Sequence, residues 1–152
     1  MSANNKPKRI CLLNGPNLNL LGERNKELYG SDTLKTVETK LAAQATAAGY
    51  ELKAFQSNVE GALIDAIHAA RNESAAIIIN PGAYSHTSIA IRDALECFAG
   101  PIVEVYISNI YKREEFRRHS FVSEVASGVI CGLGTAGYEV ALRSVIEMLA
   151  KA

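Results

Sequence analysis

The chain lacks tryptophan altogether, has only four prolines in 152 residues, and its 16 basic and 16 acidic side chains cancel. Without a charge excess there is no long-range field to draw it to nucleic acid or to a membrane surface. No apolar run is long enough to span a bilayer. The polar N-terminus has no signal-peptide apolar region, so a cytoplasmic location is expected. The basic flank Lys6-Pro7-Lys8-Arg9 is too short to be an arm and is expected to fray into solvent. Cysteine is scarce and odd in number. Cys11, Cys97 and Cys131 have no metal-type spacing and lie in or beside apolar runs, so they read as small buried hydrophobes in a reducing compartment.

What is present is a regular alternation of strand-like and helix-like segments. Strands are expected at 10–14, 50–56, 75–80, 102–107 and 129–131. The run Ala75 to Asn80 is apolar throughout, as in a central parallel strand covered on both faces. The first long helix starts at Ser31 or Asp32, presents Leu34, Val37, Leu41 and Ala45 on one face, and stops at Gly49. Asn58 is read as the cap of the next helix, and further helices run over 87–98 and 135–150. The charged segment Lys112 to His119 reads as a helical turn or short helix. One α/β domain over residues 1–152 follows, three-layered, with a five-stranded parallel sheet.

In such sheets ligands sit beyond the carboxyl ends of the strands. Here those ends carry Asn14 to Asn19, Gln56-Ser57-Asn58, Asn80 to His86 and Ile107-Ser108-Asn109. All are polar, which points to a small polyhydroxylated ligand. The first of these loops, Gly15 to Gly30, is long for a connection in a compact domain, and such loops are more often lids than idle links. Within it, a guanidinium from Arg24 beside Tyr29 would favour the phenolate and make a usable base. The plainer alternative is a solvated loop with one surface arginine. Gly132-Leu133-Gly134-Thr135-Ala136-Gly137 has dinucleotide-like glycine spacing, but no second strand follows it, nor an acidic residue roughly 20 positions on. It reads as a tight strand-to-helix turn.

The stretch Gly15-Pro16-Asn17-Leu18-Asn19-Leu20-Leu21-Gly22, with Arg24 and Tyr29-Gly30, resembles the opening signature of the type II 3-dehydroquinate dehydratases. Phe55-Gln56-Ser57-Asn58, Asn80-Pro81-Gly82-Ala83-Tyr84-Ser85-His86, Ile107-Ser108-Asn109 and Arg113-Glu114-Glu115-Phe116-Arg117-Arg118-His119-Ser120 match in order as well. The resemblance implies a flavodoxin-like three-layer sandwich, assembled as a homododecamer, a tetramer of trimers. It implies dehydration of 3-dehydroquinate to 3-dehydroshikimate by anti elimination through an enolate, with no metal or other cofactor, in the shikimate pathway or in quinate breakdown. Carried over residue by residue, Tyr29 abstracts the C2 proton, Arg24 lowers its pKa, and Asn17 holds a water against the enolate oxygen. Asn80, Gly82, Ala83, His86, Ile107 and Ser108 bind the substrate, Arg117 fixes a ring hydroxyl, and Asp93 reaches a neighbouring subunit's site. Each has a plainer alternative: a cap for Asn80, a backbone-bonded helix start for His86, a surface charge for Asp93. The arginine cluster around Arg117 reads otherwise as a solvated face, and His68 as structural.

Two positions depart from the family pattern. Tyr106 stands where a histidine, oriented by the glutamate corresponding to Glu104, protonates the leaving hydroxyl. A phenol near pKa ~10 is a weaker acid than an imidazolium near ~6.5. Asn25-Lys26 replaces Glu-Pro after the lid arginine, which should loosen the lid. The alternatives are a related lyase or isomerase that enolises without dehydrating, and a low-activity ligand-binding paralogue.

Overall fold

The computed structural model describes residues 7–152. Strands β1 (Arg9–Asn14), β2 (Glu51–Gln56), β3 (Ala76–Asn80), β4 (Ile102–Tyr106) and β5 (Gly128–Cys131) pair in parallel in the order β2-β1-β3-β4-β5. Helices α1 (Lys26–Tyr29), α2 (Leu34–Ala47), α3 (Glu60–Glu73), α4 (Ile89–Glu96) and α5 (Ala136–Lys151) connect them. The fold is the expected flavodoxin-like α/β sandwich. Among the described residues no helix is long and apolar enough to cross a membrane.

The period-2 alternation of the strands divides the core into two layers. Ile10, Leu12, Ile78, Val103 and Val105 face α2 and α5, while Cys11, Leu13, Ile77, Ile79 and Ile102 face α3 and α4. β1, β3 and β4 are covered on both sides, and each fully buried isoleucine contributes roughly 1.5–3 kcal/mol. The edge strand β2 is mostly exposed.

Helix starts differ from the sequence reading by one or two residues, for local reasons. Thr33, not Ser31 or Asp32, caps α2, its hydroxyl accepting from Thr36 N at 3.1 Å. Asn58 does not cap α3. Its Oδ1 accepts instead from Asn17 N at 2.9 Å and Gln56 Nε2 at 3.1 Å, so it ties down the long loop. That loop has structure of its own, a 3₁₀ turn at Leu18–Leu20 and the single-turn α1. A second 3₁₀ turn, Gly82–His86, occupies the expected loop after β3, and the charged segment folds as two, Ile110–Lys112 and Glu115–Arg117.

The side-chain expectations need three corrections. Cys97 is exposed at the end of α4, where its Sγ reaches only Asp93 O at 3.5 Å. Cys11 is buried, and desolvation pushes its thiol up to about 11. His68 is exposed on α3. Of the basic flank, Lys6 lies outside the described residues. Arg9 does not fray: it opens β1 and pairs with Glu51 at 3.0 Å and Glu73 at 3.3 Å.

The order of the sheet reverses between β1 and β3, and there the loops leaving both strands cross. Gly15 N donates to Asn80 O at 2.8 Å. A Cβ at Gly15 would lie 2.3 Å from Pro81 O and 2.6 Å from Pro81 C. Both are backbone atoms and cannot swing aside. Gly15→Ala is therefore expected to destabilise the fold by about 1–3 kcal/mol, the scale of overpacking, measurable as a lower urea midpoint.

Candidate active site

A cleft of about 130 Å³ opens at this crossing, beyond the carboxyl ends of β1, β3 and β4. Most of its wall comes from the polar strand ends. The loop after β1 supplies Asn17, Arg24 and Tyr29. The end of β3 and its 3₁₀ turn supply Asn80, Gly82, Ala83 and His86. The end of β4 supplies Tyr106, Ile107 and Ser108, and the following turns Arg113 and Arg117. A larger hollow of about 660 Å³ lies at the opposite end of the sheet, but of its charged residues Glu51 and Glu73 are already paired with Arg9.

Asn17 adopts the left-handed conformation (φ 69°), which asparagine tolerates better than most residues. The Asn58 carboxamide holds it there, and Gln56 Nε2 donates to Gly15 O at 3.2 Å. Three strand ends thus fix one loop.

The expected Arg24–Tyr29 pair is present in a different form. The Arg24 guanidinium lies over the Tyr29 ring, 5.0 Å from its centroid, and makes no hydrogen bond to the phenol. The group that donates to Tyr29 Oη is Arg113 Nη1, at 3.0 Å, and the same atom lies 3.4 Å from Ser108 Oγ. Arg113 was not singled out from the sequence, where it belongs to a charged run. Its contact with Tyr29 spans 84 residues and depends on two successive 3₁₀ turns that no periodicity announces. Arg117 Nε donates to Glu114 Oε2 at 2.7 Å. The Glu114 carboxyl is held below its usual range by its own backbone N–H and by Arg117. Water screens this exposed pair, so Arg117 can turn to a ligand at little cost.

His86 Nδ1 lies 2.7 Å from the backbone carbonyl of His119. A carbonyl only accepts, so Nδ1 carries a proton and Nε2 is left for the cleft. The backbone bond foreseen as the plainer role of His86 therefore leaves its other nitrogen available. His119 itself is exposed, 3.5 Å from Glu124.

Behind the cleft, Glu104 is fully buried, and three hydroxyls surround it. Tyr106 Oη and Ser120 Oγ donate to its Oε2 and Ser123 Oγ to its Oε1. Burial, and next the Glu104 charge, push the Tyr106 phenol well above its ordinary range. Ser120 closes a motif that matches the family but has no role there, and Ser123 carries no sequence signal: their part appears only when the chain folds over β4.

Asp93 lies outside the cleft. It sits on α4, exposed, with its Oδ1 3.1 Å from Arg92 Nη1. The glycine run 132–134 makes the tight turn expected of it, with positive φ at Gly132 and Gly134 and Gly134 N donating to Ile107 O at 3.0 Å.

Residues 8–146 match the family model described as dehydroquinase class II. The chain is 59% identical over 142 residues to the 3-dehydroquinate dehydratase 2 of Agrobacterium fabrum, covering 93% of this chain and 97% of that protein. It is 58% identical over 140 residues to the 3-dehydroquinate dehydratase of Methylococcus capsulatus, covering 91% and 95%. The crystal structure of a type II dehydroquinase from Propionibacterium acnes superposes with a TM-score of 0.89 at 42% identity, over 92% of this chain and 97% of that one.

Proposed function

The chain belongs to the class II dehydroquinase family and is a 3-dehydroquinate dehydratase, and we propose that the cleft between β1, β3 and β4 carries the reaction with Tyr29 as base. The observation that supports this most is the setting of Tyr29, whose Oη accepts from Arg113 and whose ring lies under the Arg24 guanidinium, in a cleft also lined by amides, hydroxyls and an imidazole. The phenolate form accepts a proton, and one guanidinium donates to the oxygen that must carry its charge while a second lies over the ring.

On this reading Tyr29 Oη takes the C2 proton as the C2–H electrons move into the C3 carbonyl. The Asn17 amide holds a water against the resulting enolate oxygen, a preorganised dipole facing developing charge. The enolate then collapses, C1=C2 forms, the C1–O bond breaks, and the departing oxygen takes a proton from Tyr106 or from a water and leaves as water. Asn80, His86 Nε2, the turn at Gly82 and Ala83, and Ile107 with Ser108 bind the carboxylate and ring hydroxyls, and Arg117 releases Glu114 to bind another. The whole chain acts as one domain, in the cytoplasm, in aromatic biosynthesis or quinate breakdown. It assembles as a homododecamer, a tetramer of trimers, for which an exposed Asp93 turned away from its own cleft is the fitting arrangement.

Arg113→Ala tests the site. With one donor to charged Tyr29 gone, kcat on 3-dehydroquinate is expected to fall by about 10²-fold, the scale for losing a preorganised donor. An unchanged kcat would remove Arg113 from the mechanism.

One observation favours a second, slower regime. A histidine between a carboxylate and a leaving group has two nitrogens: one can stay bonded to the carboxylate while the other gives up a proton. Tyr106 has one oxygen and one proton, and that proton points at Glu104. Enolisation at C2 then outpaces loss of the C1 hydroxyl.

A further inference from the structure

We infer that Tyr138, on α5 and outside the cleft, is a positioning residue that fixes how Asn80 presents its amide to the ligand; the inference rests on the reading of Asn80 as a ligand-binding group. Asn14 and Asn80 are register partners at the ends of β1 and β3, both buried, and their side chains share the α5 face of the sheet. Tyr138 is completely buried against that face, and its hydroxyl lies between them. Asn80 Nδ2 is 2.9 Å from Tyr138 Oη, and Tyr138 Oη is 2.6 Å from Asn14 Oδ1.

The direction of this chain is set by a backbone group that cannot change roles. Gly82 N–H only donates, and it points at Asn80 Oδ1 at 3.2 Å. The Asn80 oxygen therefore faces Gly82 and its NH₂ faces Tyr138. The phenol accepts from that NH₂, so its single proton goes to Asn14 Oδ1. Reversing the Asn80 amide would set its NH₂ against the Gly82 N–H, two donors facing each other. With the Asn80 oxygen held by Gly82 and one N–H held by Tyr138, its second N–H and the remaining lone pair are what the cleft receives. The phenol itself does not ionise here, because burial pushes it far above its ordinary range.

Packing alone does not account for this hydroxyl. A phenylalanine ring would fill the same space without the cost of burying an oxygen. What Phe cannot do is join the two asparagines. Its substitution would leave the Asn80 N–H unpaired in the protein interior and free the amide to leave the orientation that the ligand meets.

The test compares Tyr138→Phe, Asn80→Ala and the double variant in steady-state turnover of 3-dehydroquinate, with thermal unfolding as a check on folding. Tyr138→Phe is expected to raise KM about tenfold with kcat within about twofold, the pattern of lost uniform binding. In the Asn80→Ala background it is expected to add no further rise in KM, because the two act as one unit. Asn14→Ala, which removes the acceptor for the phenol proton, should raise KM in the same direction and serves if Tyr138→Phe does not fold. A lowered Tm with unchanged KM would overturn the inference, as would an equal rise in KM with and without Asn80. If Asn80→Ala itself leaves KM unchanged, the reading of Asn80 fails, and the inference with it.

Discussion

Tyr29→Phe is expected to lower kcat on 3-dehydroquinate by about 10³-fold or more while leaving KM within a few-fold, within the span that general bases contribute. The substitution is narrow. Phenylalanine keeps the ring under Arg24 and beside Arg113, so both cation–π contacts, at 5.0 Å and 5.7 Å, survive. Only the oxygen at 3.0 Å from Arg113 Nη1 is lost. Tyr29 is partly exposed, so little core packing is disturbed and Tm should hardly move. A variant retaining more than a tenth of the kcat would require another base. None of the other groups lining the cleft combines a titratable oxygen bonded to one guanidinium with a second guanidinium over its ring.

Tyr106→His has the second large effect, in the opposite direction: kcat is expected to rise by about 10²-fold, the lower end of what a well-placed general acid supplies. Glu104 is already in place to orient the new ring, with Ser120 and Ser123 donating to its carboxyl. An imidazolium bonded to Glu104 through one nitrogen would still offer the proton on the other. The pH profile separates this from a simple packing effect. An acid works in its protonated form, so activity is lost as pH rises through its pKa. The Tyr106 phenol is pushed above its ordinary range by burial and by Glu104, so the unaltered protein has no such falling limb from Tyr106 in the working range. The histidine variant gains one, above the ordinary imidazole value of ~6.5 because a neighbouring negative charge favours the cation. A variant with unchanged kcat and no new limb would mean that proton delivery to the leaving oxygen does not limit turnover.

Much of this could be read along the chain because it is local. The apolar run Ala75 to Asn80 marked a central strand, and polar strand ends marked the rim where the cleft opens. Asn17, Tyr29, Asn80, His86 and Arg117 line that cleft. What could not be read is what the topology joins. Arg113 meets Tyr29 across 84 residues, Tyr138 meets Asn80 across 58 and Asn14 across 124, and Asn58 leaves its helix to hold Asn17 across 41. Arg113 and Asn58 each had an adequate local explanation, a solvated arginine and a cap, and nothing local marked Tyr138. The buried Glu104 shows the same limit. Its bond to Tyr106 joins two residues of one strand, while the serines that satisfy its other lone pairs come from a turn that folds back over it.

The central claim is that this cleft carries enolisation through to loss of water. The most direct test is incubation of the purified protein with 3-dehydroquinate in deuterated water. Near-ultraviolet absorbance reports the conjugated enone of the product, and NMR of the recovered substrate reports deuterium at C2. The account predicts enone formation at a measurable rate, with some C2 exchange in the remaining substrate because the second step is the slower one. Deuterium at C2 without any enone would contradict it, leaving an enolising enzyme that does not dehydrate; neither signal would remove the base from Tyr29.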